Sequence, residues 1–84
     1  MAQLTSNQTL TGAAYVKIAD SGQKILLEAR SGEVEFFYKS TIPGNSDAGH
    51  WLREGRYHGE TLGENLWARS KDGVGSASIV ISKG

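Results

Sequence analysis

Cysteine is absent from the 84 residues, and proline occurs once. The first absence excludes disulfide staples and every thiolate metal site. An excess of charge of either sign is also missing, because nine Lys and Arg offset nine Asp and Glu for a formal net charge of zero. Nucleic-acid binders concentrate basic residues on one face, since phosphate neutralisation supplies most of their affinity. Here the two signs are interleaved, so nucleic acid is not an expected partner. No apolar run approaches the roughly 20 residues of a membrane helix. Met1 to Asn7 has neither the basic start nor the apolar core of a signal peptide, so cytoplasmic synthesis is expected and membrane is not.

Reactive constellations are missing as well. Histidine occurs twice, and no metal-ligand spacing links His50 and His58 to Asp47, Glu54, Glu60 or Glu64. The two read instead as polar residues at the margins of short strands. Hydrolysis requires a nucleophile beside a base, or paired carboxylates. The Ser and Thr residues fall in turns and arms, where bonds to the backbone account for them. Gly73 and Gly75 belong to no phosphate-binding fingerprint. No catalytic residue, metal or cofactor is therefore expected, and the chain reads as non-enzymatic. A domain of this size buries only about 60–65% of its unfolded surface. With disulfides and metals gone, oligomerisation is the remaining staple, and a homo-oligomer such as a trimer is expected.

What the chain does contain is strands and turns, punctuated by eleven glycines. Residues 1–12 are rich in Gln, Thr, Ser and Asn and read as an extended N-terminal arm that contacts something outside its own domain. Residues 13–84 read as one β-domain. Ala14 to Ala19 forms a first strand, and Lys24 to Arg30 a second despite its helical propensity, because Ser-Gly breaks flank it. Glu33 to Lys39 alternates most cleanly, with Val34, Phe36 and Tyr38 on one face. Phe36 and Phe37 are neighbours and must face opposite ways. Thr41 to Gly49 is the main irregular loop, and His50 to Arg53 a short strand. Asn65 to Ser82 reads as a closing hairpin, an alternating run that ends in the turn Lys71-Asp72-Gly73 and restarts as a second alternating run. The fold class is all-β, a small antiparallel sandwich or barrel of about six or seven strands. Its expected core is Val16, Ile18, Val34, Phe36, Tyr38, Leu66, Ile79 and Ile81.

Large aromatics supply the candidate binding residues. Trp51, Tyr57 and Trp67 could form a sugar platform, the alternative reading being a carbohydrate- or ligand-binding module. Arg53 and Arg69 each follow a Trp by two positions, which on a strand places guanidinium and indole on one face. Single-stranded nucleic acid on an aromatic face is a third reading that the charge balance disfavours.

The closing segment resembles small structural proteins encoded among bacteriophage head and tail genes. Leu66, Trp67, Ala68, Arg69 and Ser70 match their penultimate strand. Gly73 or Gly75 matches the turn, and Ser78 to Ser82 the last strand. The resemblance implies a virion component, assembled in the host cytoplasm, that decorates or cements a capsid or forms part of a head fibre or tail. Its partners would be copies of itself and a major capsid or tail protein. No catalytic residues come with that class.

Overall fold

A computed structural model describes residues 4–84. These fold into eight strands: β1 (Leu4–Thr11), β2 (Val16–Ala19), β3 (Lys24–Ser31), β4 (Val34–Tyr38), β5 (His50–Leu52), β6 (Tyr57–Thr61), β7 (Leu66–Ser70) and β8 (Ser76–Lys83). A front sheet runs β1-β8-β3-β6 and a back sheet β2-β7-β4-β5. All neighbours pair antiparallel. The all-β expectation holds, with more strands than the six or seven expected.

Alternation builds the core. Ile25, Leu27 and Ala29 point inward from β3, and Ala77, Ile79 and Ile81 from β8. Val34, Phe36, Leu66 and Ala68 meet them from the back sheet. Such apolar stripes at period two have one buried solution, face to face with another sheet. Two expected core positions differ. Tyr38 is only partly buried and packs against the cluster from outside. Val16 is 38% exposed, because β2 is an edge strand and carries a register shift between Lys17 and Ala19.

The expected arm is mostly a strand. Leu4–Thr11 pairs with β8 at eight consecutive positions, from Leu4 opposite Lys83 to Thr11 opposite Ser76. Its polar side chains suit this place because one face looks at solvent and only Leu10 on the other is fully buried. The part of the arm at residues 1–3 lies outside the described residues.

The closing hairpin is not a hairpin. β7 pairs with β2 and β4 in the back sheet, while β8 pairs with β1 and β3 in the front one. The short 3₁₀ turn Lys71–Gly73 carries the chain from one layer to the other. The Ser-Gly turns behave alike, with Gly22 at φ 90° and Gly32 at φ 73° between strands of different sheets. Glycine adopts that left-handed backbone without penalty. Only the β4–β5 connection stays within one sheet.

Candidate functional site

Two clusters of ionisable side chains and one exposed face emerge from this architecture. The first cluster lies on the outer side of the back sheet. Glu35 and Arg69 are cross-strand partners on β4 and β7. Arg69 Nε donates to Glu35 Oε1 at 2.6 Å, with the two side chains 5% and 1% exposed. Further Arg69 donors reach the carbonyls of Ala13 at 2.8 Å, Asn45 at 2.6 Å and Asp47 at 3.2 Å. Gly49 N donates to Glu35 Oε2 at 2.8 Å. A Cβ at Gly49 would stand 2.3 Å from the Phe36 carbonyl, so only glycine fits there.

Tyr15 covers this pair, its ring 4.3 Å from the Arg69 guanidinium, and its hydroxyl donates to the Asp47 carbonyl at 2.6 Å. Phe37, the outward member of the Phe pair, meets Tyr15 edge-on at 5.8 Å. Burial is the largest influence on Glu35 and pushes its carboxyl up. Arg69 and the N–H groups of Gly49 and Asp72 outweigh it and hold the carboxyl below the usual carboxylate range. Burial, then the Glu35 charge, pushes the Tyr15 hydroxyl up, so it remains a donor. This cluster clamps the 39–49 loop onto the sheet, and its Glu35, Arg69 and Tyr15 side chains are buried.

The second cluster closes the open side of the sandwich. His58 and Glu60 alternate inward on β6, opposite Leu27 and Ile25 of β3. His58 Nε2 lies 2.6 Å from Glu60 Oε2. The Tyr38 hydroxyl, reaching across from β4, donates to Glu60 and lies 3.0 Å from His58 Nε2. Phe36 stacks on His58 at 5.3 Å and meets His50 at 5.4 Å. A shallow depression of about 190 Å³ lined by Phe37, Tyr38, Ala48, Gly49 and His50 adjoins it. The cluster ties the front sheet to the back one with a phenol, an imidazole and a carboxylate. Among the described residues, no three His, Asp or Glu are arranged to hold a metal. Period-two spacing of His58 and Glu60 on β6 is the sequence signal that reveals this pairing.

Of the five residues expected to bind, Trp51, Trp67 and Arg69 share the outer back face, while Arg53 and Tyr57 lie elsewhere. Trp51, 56% exposed, stands on the outer back face beside Glu35 and carries the Lys71 ammonium 3.9 Å above its ring. Trp67 shares that face, and its indole N–H donates to the Lys39 carbonyl at 2.8 Å. Arg69 is buried as described and lies over Tyr15 rather than an indole, because loop carbonyls and Glu35 claim it. Arg53 is exposed in the β5–β6 turn. Tyr57, 71% exposed, is on the front sheet opposite Glu28. The three rings therefore do not share one platform.

The front face is where Tyr57 belongs. Partners across antiparallel pairs share a face, so the register places Thr5, Asn7, Thr9 and Thr11 beside Ser82, Val80, Ser78 and Ser76. Glu28 and Leu26 continue the rows toward Tyr57 and Gly59. Leu26 is 48% exposed, and Thr5 and Ser82 hydroxyls bond at 2.7 Å.

The architecture defines a class, an antiparallel β-sandwich with two sheets of four strands. Among solved structures, the chain is similar to protein NMB1881 from Neisseria meningitidis, with a TM-score of 0.66 and 17% identity, covering 96% of this chain and 72% of that one. At this identity the likeness is one of fold. No family model matches the chain, and no curated protein matches it.

Proposed function

We propose that the protein is a non-enzymatic structural component of a phage particle that decorates or cements the capsid by docking its front face on the major capsid protein. The carrying observation is that face. Exposed Leu26 and Tyr57 lie on it near Val80. Around them stand Lys24, Glu28, Arg30 and the hydroxyl ladder of β1 and β8. An apolar centre within a polar rim is the usual anatomy of a protein interface. Short hydroxyl side chains also lose little rotamer freedom on docking. The resemblance of residues 66–82 to phage head and tail proteins supports the same reading. On a repeated surface, weak single contacts multiply through avidity.

The test is incorporation. Leu26→Lys and Tyr57→Asp change exposed side chains, so both should keep the wild-type circular dichroism melt and lose occupancy on purified capsids. Retained occupancy in both variants overturns the face assignment. Absence of the wild-type protein from particles overturns the function, and its presence on tails alone moves the partner to a tail protein.

A further inference from the structure

Four strand edges border the two sheets, and three of them are protected against pairing with another chain. β5 spans three residues, His50–Leu52. β2 spans four, includes Lys17 and carries a register shift. β6 points His58 and Glu60 into the sandwich. Short length, bulges, edge lysines and inward ionisable residues are the standard devices that stop edges from associating. β1 has none of them. It is eight residues long, Leu-Thr-Ser-Asn-Gln-Thr-Leu-Thr, without charge, proline or glycine, and it follows β8 with no register shift.

We infer that the outer edge of β1 pairs with β1 of a second copy of this chain, joining two front sheets into one continuous sheet of eight strands. An edge pairing with itself is isologous and closes at two subunits. A dimer therefore takes the place of the trimer expected from size alone. A two-fold axis normal to the sheet keeps both front faces on one side, so opposed residues share parity. The register centred on Asn7 sets Leu4 against Leu10, Thr5 against Thr9, Ser6 against Gln8, and Asn7 against Asn7 of the second copy. Like meets like at every step, and no charges oppose one another, as befits a charge-free strand. This register also carries Leu4, 74% exposed in one copy, to the margin of the other copy's core beside Leu10. The inference rests on the edge alone and is independent of what the front face docks on.

Sedimentation velocity and a single-cysteine scan of the full-length chain test it. Wild-type protein should sediment as a dimer that dissociates on dilution. Asn7→Lys places like charges opposite each other at the axis and should weaken the dimer by about ten-fold or more. It leaves the monomer melt unchanged, because Asn7 is exposed. The chain has no native cysteine, so cross-linking reads register directly. Asn7→Cys brings two thiols together at a Cα separation of about 5 Å, within disulfide reach. Thr5→Cys holds its two thiols about 13 Å apart along the strands, and should stay reduced. A wild-type monomer throughout the micromolar range overturns the inference and leaves the edge for another protein's strand. A dimer untouched by Asn7→Lys, or Thr5→Cys cross-linking as readily as Asn7→Cys, overturns it equally.

Discussion

Arg69 occupies the outer side of a strand, where a side chain ordinarily meets water, and is nevertheless one of the most buried polar groups in the protein. Its position on one face with Trp67 follows from spacing alone. Its burial does not, because the cover comes from Ala13, Tyr15, Asn45 and Asp47, which no local pattern connects to it. Removing one partner of such a pair strands a charge in a desolvated site at a cost of about 3–5 kcal/mol. A domain of this length holds only about 4–12 kcal/mol in total. Arg69→Met should therefore leave the protein partly or wholly unfolded in urea titrations, while Glu35→Leu with Arg69→Met should recover much of the loss. The depressed Glu35 pKa adds a pH signature. Its stabilisation is complete above the unfolded-state value of about 4.3 and disappears as pH falls through the lower folded-state value. The urea midpoint should thus decline on acidification below that reference, and Glu35→Gln should flatten the decline. An unchanged acid limb in Glu35→Gln would mean that other carboxylates govern it.

At the level of strands, period two was legible in Lys24–Ser31 and Ser76–Lys83, which alternate in burial, but not in Val34–Tyr38, where Glu35 on the outer side is buried with Arg69. Flanking Ser-Gly breaks correctly outweigh the helix propensity of Lys24 to Arg30. Alternation says which side chains face inward but not which strand lies alongside. That is why β7 and β8 read as one hairpin although they belong to different sheets. The candidate site was legible in part: Tyr57 and Trp51 are exposed as a binding reading requires, but sheet membership separates them. β1 was hidden for another reason. Its inward positions are Leu4, Ser6, Gln8 and Leu10, of which only Leu10 reaches the core. That single anchor makes a sharp prediction. Leu10→Ala should cost about 2–5 kcal/mol, and deletion of residues 4–11, which also uncovers the β8 edge, should abolish the cooperative melt. A truncated protein with the wild-type transition would return β1 to the status of a detachable arm.

Across the whole molecule, the crossing turns have a kinetic consequence. β1 finds its partner at the opposite end of the chain, with Leu4 opposite Lys83, and β2 pairs with β7 through Val16 and Ala68. Of all the pairings, only β4 with β5 joins consecutive strands. Closing such long loops costs entropy before the contacts that reward it exist. Folding rates fall as contacts become less local, and all-β sandwiches fold in milliseconds to seconds, where helical bundles need microseconds to milliseconds. Stopped-flow refolding should therefore be slow on that scale and single-exponential. Trp51 and Trp67 make suitable reporters of the back sheet, because they flank its β4 strand from the edge strand β5 and the inner strand β7. Trp51→Phe and Trp67→Phe, leaving one indole each, should give the same rate if the sandwich assembles in one cooperative step. Microsecond folding would overturn slow, non-local assembly, and two variants reporting different rates would show that β5 and β7 join β4 in separate steps.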